Sequence, residues 1–183
     1  LGVEFEKQQL NDSKILGLSL GNVLKDKEND DLPTKTKLNQ TRSDIVGNLY
    51  YKLNKNLELN YDFSYDRDLE YSNYDSINAI FGVNKFLTSF DYITENHDFG
   101  DSEIIKNDTS YKFTDEHTIN FNTTKDLKDD FTQFYKLSYE YETDCLLASF
   151  EYQKKFFRDG GLVPDESLVF LIKFIPFVDI PVS

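Results

Sequence analysis

The side chains with the chemistry to bind a metal or attack a substrate are few and scattered. Cys145 is the only cysteine, which excludes a disulfide framework or a thiolate zinc site within the chain. His97 and His117 have no metal-ligand spacing around them and are interpreted as structural or solvated. Serine, histidine and aspartate occur, but in no nucleophile elbow or spaced triad. The sequence therefore predicts no enzyme, no catalytic residue, no metal site and no cofactor.

Charge gives a second limit on function. The 183 residues carry a formal net charge of -13 and contain no basic stripe, which excludes nucleic acid as a partner. Acidic pairs fall in predicted loops, and carboxylates of this kind could bind divalent cations. The preferred interpretation is that they keep the loops hydrated. These pairs are Asp30-Asp31, Asp129-Asp130 and Asp165-Glu166.

The elements that position these residues follow from a period of two along most of the chain. In residues 57–66, every odd position is apolar or aromatic and every even position is polar. Side chains on a strand alternate between faces, whereas a helix would scatter them around its circumference. The same pattern predicts about eleven strands, at 1–8, 14–24, 43–53, 57–66, 74–83, 86–94, 105–113, 117–123, 131–141, 146–153 and 167–176.

Connections and composition together indicate the fold class. Predicted short turns near residues 55, 84, 115 and 143 alternate with longer loops at 25–42, 67–73, 95–103, 125–130 and 157–166, as in outer-membrane barrels. No stretch approaches the ~20 apolar residues of a membrane-spanning helix. Tyrosines near predicted strand ends suit an aromatic girdle: Tyr50, Tyr51, Tyr65, Tyr71, Tyr74, Tyr139 and Tyr141. The prediction is all-β, an antiparallel transmembrane β-barrel.

One face of this predicted barrel is polar and would line a hydrated lumen. Such a lumen suits a polar glycan, and it suits a passive diffusion porin or an adhesin-type barrel equally well. A third alternative is a soluble all-β binding module whose aromatic face packs on a second sheet. The predicted lumen-facing residues are Asp44, Asn48, Lys52, Glu58, Asn60, Asp62, Lys106, Asp108, Lys112, Lys136 and Glu140.

The strand count predicts that residues 1–183 are the C-terminal part of one larger barrel domain. Eleven is odd, whereas bacterial single-chain barrels have even numbers of strands, and a barrel in lipid must close. The missing strands are therefore expected upstream of Leu1, with 167–176 as the closing strand. Pro176 would remove one ladder donor there and weaken pairing at the seam.

Two stretches resemble a known family. The first runs from 18 to 24 as LSLGNVL and continues through Asp31-Leu32-Pro33 to RSDIVG at 42–47; the second is YEYETDCLL at 139–147, followed by FLIKFIPF at 170–177. Both resemble the C-terminal barrel region of LptD, the lipopolysaccharide assembly protein family also called organic solvent tolerance proteins, in its alphaproteobacterial form.

This resemblance implies a function in the outer membrane of a Gram-negative bacterium. Members of the family insert lipopolysaccharide into the outer leaflet through a lateral gate between the first and last barrel strands. An LptE-like lipoprotein plug, an LptA-like periplasmic bridge reaching a missing N-terminal domain, and outer-membrane lipid would be partners. The implied last strand of the gate carries Leu168, Phe170, Ile172, Phe174 and Pro176.

The resemblance also gives Cys145 a role. Family cysteines beside this turn form disulfides to cysteines near the N-terminus, and an oxidising periplasm permits such a bond. Many relatives have two adjacent cysteines, whereas Asp144 precedes Cys145 here, so only one bridge is possible. The partner cysteine would lie outside this chain, and an inert free thiol is the alternative.

Overall fold

The computed structural model describes residues 1–8, 14–157 and 163–174, and they form a single antiparallel sheet. Each strand pairs with the one before it in the sequence, so the order in the sheet is the order in the chain. The strands are β1 (Gly2–Gln8), β2 (Lys14–Gly21), β3 (Ile45–Asn54), β4 (Leu57–Tyr65), β5 (Ser72–Val83), β6 (Phe86–Glu95), β7 (Ser102–Lys112), β8 (His117–Asp126), β9 (Phe131–Glu142), β10 (Leu146–Lys155) and β11 (Asp165–Phe174).

The predicted all-β antiparallel class and the eleven strands are confirmed. The sheet is not closed, because β1 and β11 lie at its two edges and do not pair with each other. A 3-10 turn at His97–Phe99 joins β6 to β7. Among the described residues, no helix has the length and apolar character needed to cross a membrane.

Strand ends differ from the predictions where backbone pairing continues beyond the side-chain alternation. β8 runs on to Asp126, opposite Phe131, although the alternation ends near residue 123. β2 stops at Gly21, because residues 22–24 turn into the long connection to β3. Backbone hydrogen bonds do not depend on side-chain polarity, so a hydrophobic pattern locates a strand better than it locates its ends.

The sheet has one apolar and one polar face, and its burial is inverted relative to a soluble protein. The register places apolar residues opposite apolar ones and polar residues opposite polar ones. Leu49 lies opposite Tyr61, and Asn48 lies opposite Asp62. On β9, Leu137 is 49% exposed, whereas its neighbour Ser138 on the polar face is 5% exposed. No hydrophobic side chain among the described residues is buried. The large apolar side chains therefore form an exposed face of the sheet.

Connections of different length lie at opposite ends of the sheet. Two-residue turns join β3 to β4 and β5 to β6, while residues 22–44 and 66–71 make longer connections at the other end, called the long-loop end. The predicted strict alternation of length is wrong at one place. The connection 127–130, at the long-loop end, is only as long as 113–116 at the short-turn end, because β8 extends further than its side-chain pattern.

Candidate functional site

The polar face gathers the residues predicted to line a lumen. Every one of them except Asp44 lies within a strand on this face: Asn48, Lys52, Glu58, Asn60, Asp62, Lys106, Asp108, Lys112, Lys136 and Glu140. They share a face because the register is continuous between neighbouring strands, so that a residue on the polar face of one strand lies opposite a residue on the polar face of the next.

Polar side chains on this face hydrogen-bond across the strands. Asn48 Nδ2 donates to Asn60 Oδ1 at 2.9 Å and to Asp62 Oδ1 at 2.7 Å, and Asn60 Nδ2 donates to Asp62 Oδ2 at 2.7 Å. Lys52 pairs with Glu58, and Lys136 lies 3.5 Å from Glu151. Such cross-strand pairs stabilise a sheet and leave amides and carboxylates facing the open side.

A depression of about 410 Å³ lies on the polar face over β5 to β9. Its floor carries Asp108, Ser110, Asn122 and Glu140, and Leu87 supplies an apolar wall. Amide, hydroxyl and carboxylate groups provide both donors and acceptors, which suits a hydrated or polyhydroxylated solute.

Sequence reasoning missed one polar pair on this face. Asn78 Nδ2 donates to Asp91 Oδ1 at 2.6 Å, joining β5 to β6. The alternation in these two strands is faint, because Ile80, Leu87 and Ile93 also lie on the polar face. The sequence signal that could have located this pair was the even spacing between Asn78 and the tight turn at residue 84.

Asp44 corrects the prediction of an exposed lumen-facing side chain. It precedes β3, is fully buried, and its Oδ2 accepts a hydrogen bond from Asn73 Nδ2 at 2.8 Å. Its backbone N donates to Thr36 O at 3.0 Å, so the connection 22–44 covers it. Alternation assigned its face correctly but contained no information about a loop folded above it.

Lys37 of the same connection enters this buried cluster. Its Nζ donates to Asp66 Oδ1 at 2.6 Å and to Tyr71 Oη at 3.2 Å, and lies 3.9 Å from Asp44 Oδ1. The hydrogen bond to Asp66 raises the pKa of Lys37 despite the opposing cost of burial. The same hydrogen bond, with the backbone N–H of Asp68, lowers the pKa of Asp66. Both groups are therefore charged at neutral pH.

On the apolar face, lysine, histidine, aspartate and glutamate side chains occur only near strand ends among the residues whose side chains the structure describes. At the long-loop end they form a row: Asp75, Glu103, Lys125, Lys154 and Glu166. At the short-turn end lie Lys7 and His117. The surface between the two ends carries aliphatic and aromatic side chains with a few threonines and Asn107. This banded pattern is typical of a lipid-facing surface.

Aromatic hydroxyls lie at both borders of this band. Tyr92 Oη donates to Glu103 at 2.8 Å near the long-loop end, and His117 Nδ1 lies 2.6 Å from Tyr139 Oη near the short-turn end. Three tyrosines predicted for a girdle lie elsewhere: Tyr50 and Tyr74 are on the polar face, and Tyr71 is in the connection 66–71. Tyrosine also has a high strand propensity, which the sequence cannot separate from a border preference.

The acidic pairs lie at the long-loop end, but one is not in a loop. Asp30-Asp31 and Asp129-Asp130 are in connections, as predicted. Asp165-Glu166 begins β11, where Glu166 pairs with Lys154, so its assignment to a loop is wrong. The described residues contain no group of three or more histidine, cysteine or acidic side chains able to hold a metal ion.

Cys145 and β11 are the remaining predicted site residues. Cys145 is an exposed free thiol in the turn between β9 and β10, with its Sγ 3.8 Å from Thr143 Oγ1. On β11, Leu168, Phe170, Ile172 and Phe174 share the apolar face, and each is at least half exposed. Pro176 lies outside the described residues.

Comparison with known proteins gives one family. The model of the LptD family, described as LPS transport system D, matches residues 6–123, which is more than half of the chain and runs from the end of β1 into β8. The first stretch quoted above, 18–47, lies inside the match, and the second, 139–177, lies outside it. No curated protein matches the chain.

Proposed function

The chain belongs to the LptD family of lipopolysaccharide transport proteins, and from this membership we propose that it forms the C-terminal part of an outer-membrane β-barrel that inserts lipopolysaccharide into the outer leaflet. The family is one of transport and assembly, not of enzymes. Residues 1–183 would be one part of a single barrel domain, in a member of the alphaproteobacterial type. The second quoted stretch, which the family match does not reach, supports this finer assignment only by resemblance.

The inverted burial of the sheet is the observation that carries the membrane part of the proposal. A soluble sheet buries its apolar face, since exposed apolar area costs ~25 cal/mol per Å². Here Phe121, Leu137 and Phe150 are 39%, 49% and 45% exposed, and they lie on neighbouring strands. Lipid tails would cover this surface at no such cost. Strands β3 to β11 have 9–12 residues, close to the ~9–11 of a tilted membrane-crossing strand.

The open edges support a larger barrel. An unpaired edge in lipid leaves backbone N–H and C=O groups without partners, which is the reason that membrane sheets close. Additional strands joining β1 to β11 would satisfy both edges. The seam next to β11 is the proposed lateral gate, because the unpaired edge of β11 is where another strand of a closed barrel would pair.

The polar face supplies the proposed route for the glycan. Its amides, hydroxyls and carboxylates can replace water around a sugar one hydrogen bond at a time. An LptE-like plug would occupy the same enclosed space, and an LptA-like bridge would deliver lipopolysaccharide through a periplasmic domain. These partners are proposed from family membership.

Depletion of the full-length protein in its own bacterium tests the proposed function. Lipopolysaccharide at the cell surface is expected to fall, and newly made lipopolysaccharide to accumulate inside the cell. A passive porin would instead leave surface lipopolysaccharide unchanged and slow the uptake of small polar solutes. A photo-crosslinking residue at Phe170 should capture lipopolysaccharide more than one at Leu59, in the middle of the sheet; equal capture would argue against a gate at β11.

Cys145 provides a separate test of the link to a periplasmic domain. We propose a disulfide between Cys145 and a cysteine outside this chain, because the thiol is exposed at the short-turn end. On a non-reducing gel, the full-length protein should migrate as a loop-closed species, and Cys145→Ser should remove it. Thr143→Ser, in the same turn, is the matched control. Identical migration of wild type and Cys145→Ser would show that Cys145 is a free thiol.

A further inference from the structure

The charged side chains at the long-loop end of the apolar face change sign from β5 to β10. Asp75 on β5 and Glu103 on β7 are acidic. Lys125 on β8 and Lys154 on β10 are basic, and they lie nearer to the open edge of the sheet at β11. This border of the apolar face is therefore acidic far from the edge and carries two lysines close to it.

Aromatic rings lie around Lys154 on the same face. Tyr135 is directly opposite it on β9, and the Tyr135 ring centroid is 5.8 Å from that of Phe156 and 6.1 Å from that of Tyr152. Lys154 Nζ lies 5.4 Å from the ring centroid of Phe156. The backbone N of Phe156 donates to Gln133 O at 2.9 Å, which continues the pairing of β10 with β9. The ammonium group is therefore held at a defined place on the border by the rings around it.

Each of the two lysines has a carboxylate partner that is more exposed than the lysine itself. Lys154 pairs with Glu166, directly opposite on β11, and their side chains are 22% and 51% exposed. Lys125 Nζ lies 2.5 Å from Asp130 Oδ1, and these side chains are 39% and 87% exposed. Pairs between exposed side chains contribute little to stability because water screens them. A phosphate group, which can carry two negative charges, can therefore replace either carboxylate.

The spacing of the two lysines allows one headgroup to reach both. They lie two strands apart, which is roughly 10 Å across the sheet. On β9, between them, Thr132 lies opposite Lys125 and Tyr135 lies opposite Lys154. Their hydroxyl groups can donate to sugar hydroxyls and accept from them. Two cations separated by hydroxyl groups suit a glycolipid headgroup that carries two phosphates.

The surface next to this border suits the acyl chains of such a lipid. Toward the short-turn end, β8, β9 and β10 present Phe121, Leu137 and Phe150 on the same face, and all three are exposed. Acyl chains that extend from a headgroup at the two lysines would cover these side chains. The lysines and the apolar surface therefore form one continuous area with the charge and polarity of a phosphorylated lipid's complement.

We propose that Lys125 and Lys154 bind the two phosphates of a glycolipid, the lipid A part of lipopolysaccharide, on the outside of the barrel beside β11. This inference rests on the proposed function, in which Cys145 places the short-turn end in the periplasm and the long-loop end at the outer leaflet. The site receives lipid A as it leaves the seam. Glu166 and Asp130 then give up their lysines to the phosphates.

Native mass spectrometry of the purified full-length protein in detergent tests the site by its affinity for added lipid A with two phosphates. The affinity should fall about fivefold in Lys154→Met and in Lys125→Met, the change that about 1 kcal/mol per lysine produces. The double variant should lose about 25-fold, because the two lysines contact different phosphates. Lys155→Met is the matched control, since Lys155 is the next residue but lies on the polar face, opposite Asp165.

Glu166→Gln should increase the affinity, a result that a folding defect would not produce. Without the competing carboxylate, Lys154 is available to the phosphate, and the affinity should rise about twofold to fivefold, the range that exposed ion pairs produce. Lys154→Arg retains the charge and should bind lipid A as wild type does. Weaker binding by Glu166→Gln would contradict the proposed exchange of carboxylate for phosphate.

Other lipids test the identity of the ligand. Lipid A with one phosphate and phosphatidylglycerol should each bind about fivefold more weakly than lipid A with two, because each can reach only one lysine. Phosphatidylglycerol that binds as tightly as lipid A would overturn the assignment to a glycolipid, and equal affinities of wild type and double variant would overturn the site. If depletion of the protein leaves surface lipopolysaccharide unaltered, the proposed function fails, and the binding result still decides the site.

Discussion

Replacing Leu49 with lysine is expected to destabilise the folded protein by about 2–4 kcal/mol, the cost of a lysine at the midplane of a lipid-facing barrel strand. Leu49 lies in the middle of β3 on the apolar face and is 37% exposed. If this face contacted water, a lysine there would change the free energy of unfolding by only about 0.5 kcal/mol or less. Urea unfolding of the full-length protein in lipid bilayers measures the difference.

Asn48→Lys is the matched control for Leu49→Lys. Asn48 is the adjacent residue but lies on the polar face, opposite Asp62. A lysine at this position can donate to Asp62, as the asparagine does at 2.7 Å, so we expect little change in stability. Equal effects of the two substitutions would show that the apolar face does not contact lipid. That outcome would favour the soluble all-β module over both barrel functions.

The sequence predicts the faces of this sheet well, because alternation and pairing impose the same constraint. A slip of one residue would move a whole strand's apolar side chains to the other face, so the alternation in β3 and β4 excludes such slips, and the two-residue turn between them fixes the register. In β5 and β6 the pattern is weaker, and the Asn78–Asp91 pair was not predicted. In these two strands, apolar residues on the polar face obscure the two-residue alternation when each strand is considered alone.

Polar residues on the apolar face could not be interpreted from alternation at all. Asn107 lies in the middle of β7 on that face, opposite Phe90. Its Nδ2 donates to Thr88 Oγ1 and to Ser89 O, both at 3.0 Å. A polar group facing lipid must find partners within the protein, and these are on a neighbouring strand. The partners depend on the register of β6, which the sequence of β7 does not contain.

The path of the connection 22–44 could not be predicted because its contacts are distant in sequence. Lys37 and Asp66 are separated by 29 residues, and neither lies in a pattern that points to the other. Single-sequence patterns report local periodicity and turn chemistry, whereas this ion pair exists only after β3 and β4 have formed and the connection has folded back. Asp44 illustrates this limit. Alternation predicted the face of the sheet on which it lies, but not its burial beneath the connection 22–44.

Gly47→Ala is expected to destabilise the sheet by about 1–3 kcal/mol, the usual cost of forcing a methyl group into a packed site. Gly47 lies on the apolar face of β3, opposite Phe63. An added Cβ would collide with the Phe63 ring and would lie 2.8 Å from both Leu20 Cδ2 and Ser19 O. Ser19 O is backbone, so it cannot move without disturbing the pairing of β2 with β3. The free energy of unfolding in urea, at an unchanged m-value, gives the measurement.

Gly21→Ala separates this steric effect from a general loss of glycine. A Cβ at Gly21 would have its nearest neighbour, Leu1 O, at 3.6 Å, an ordinary contact, so we expect little change. Phe63→Leu combined with Gly47→Ala should recover only part of the loss, because the contact with Ser19 O persists. If Gly47→Ala were as stable as wild type, the aromatic ring would not occupy the space beside Gly47. The tilted contact of the Phe63 ring with Tyr61 on the same strand, at 5.3 Å between ring centroids, would then need a different side-chain arrangement on β4.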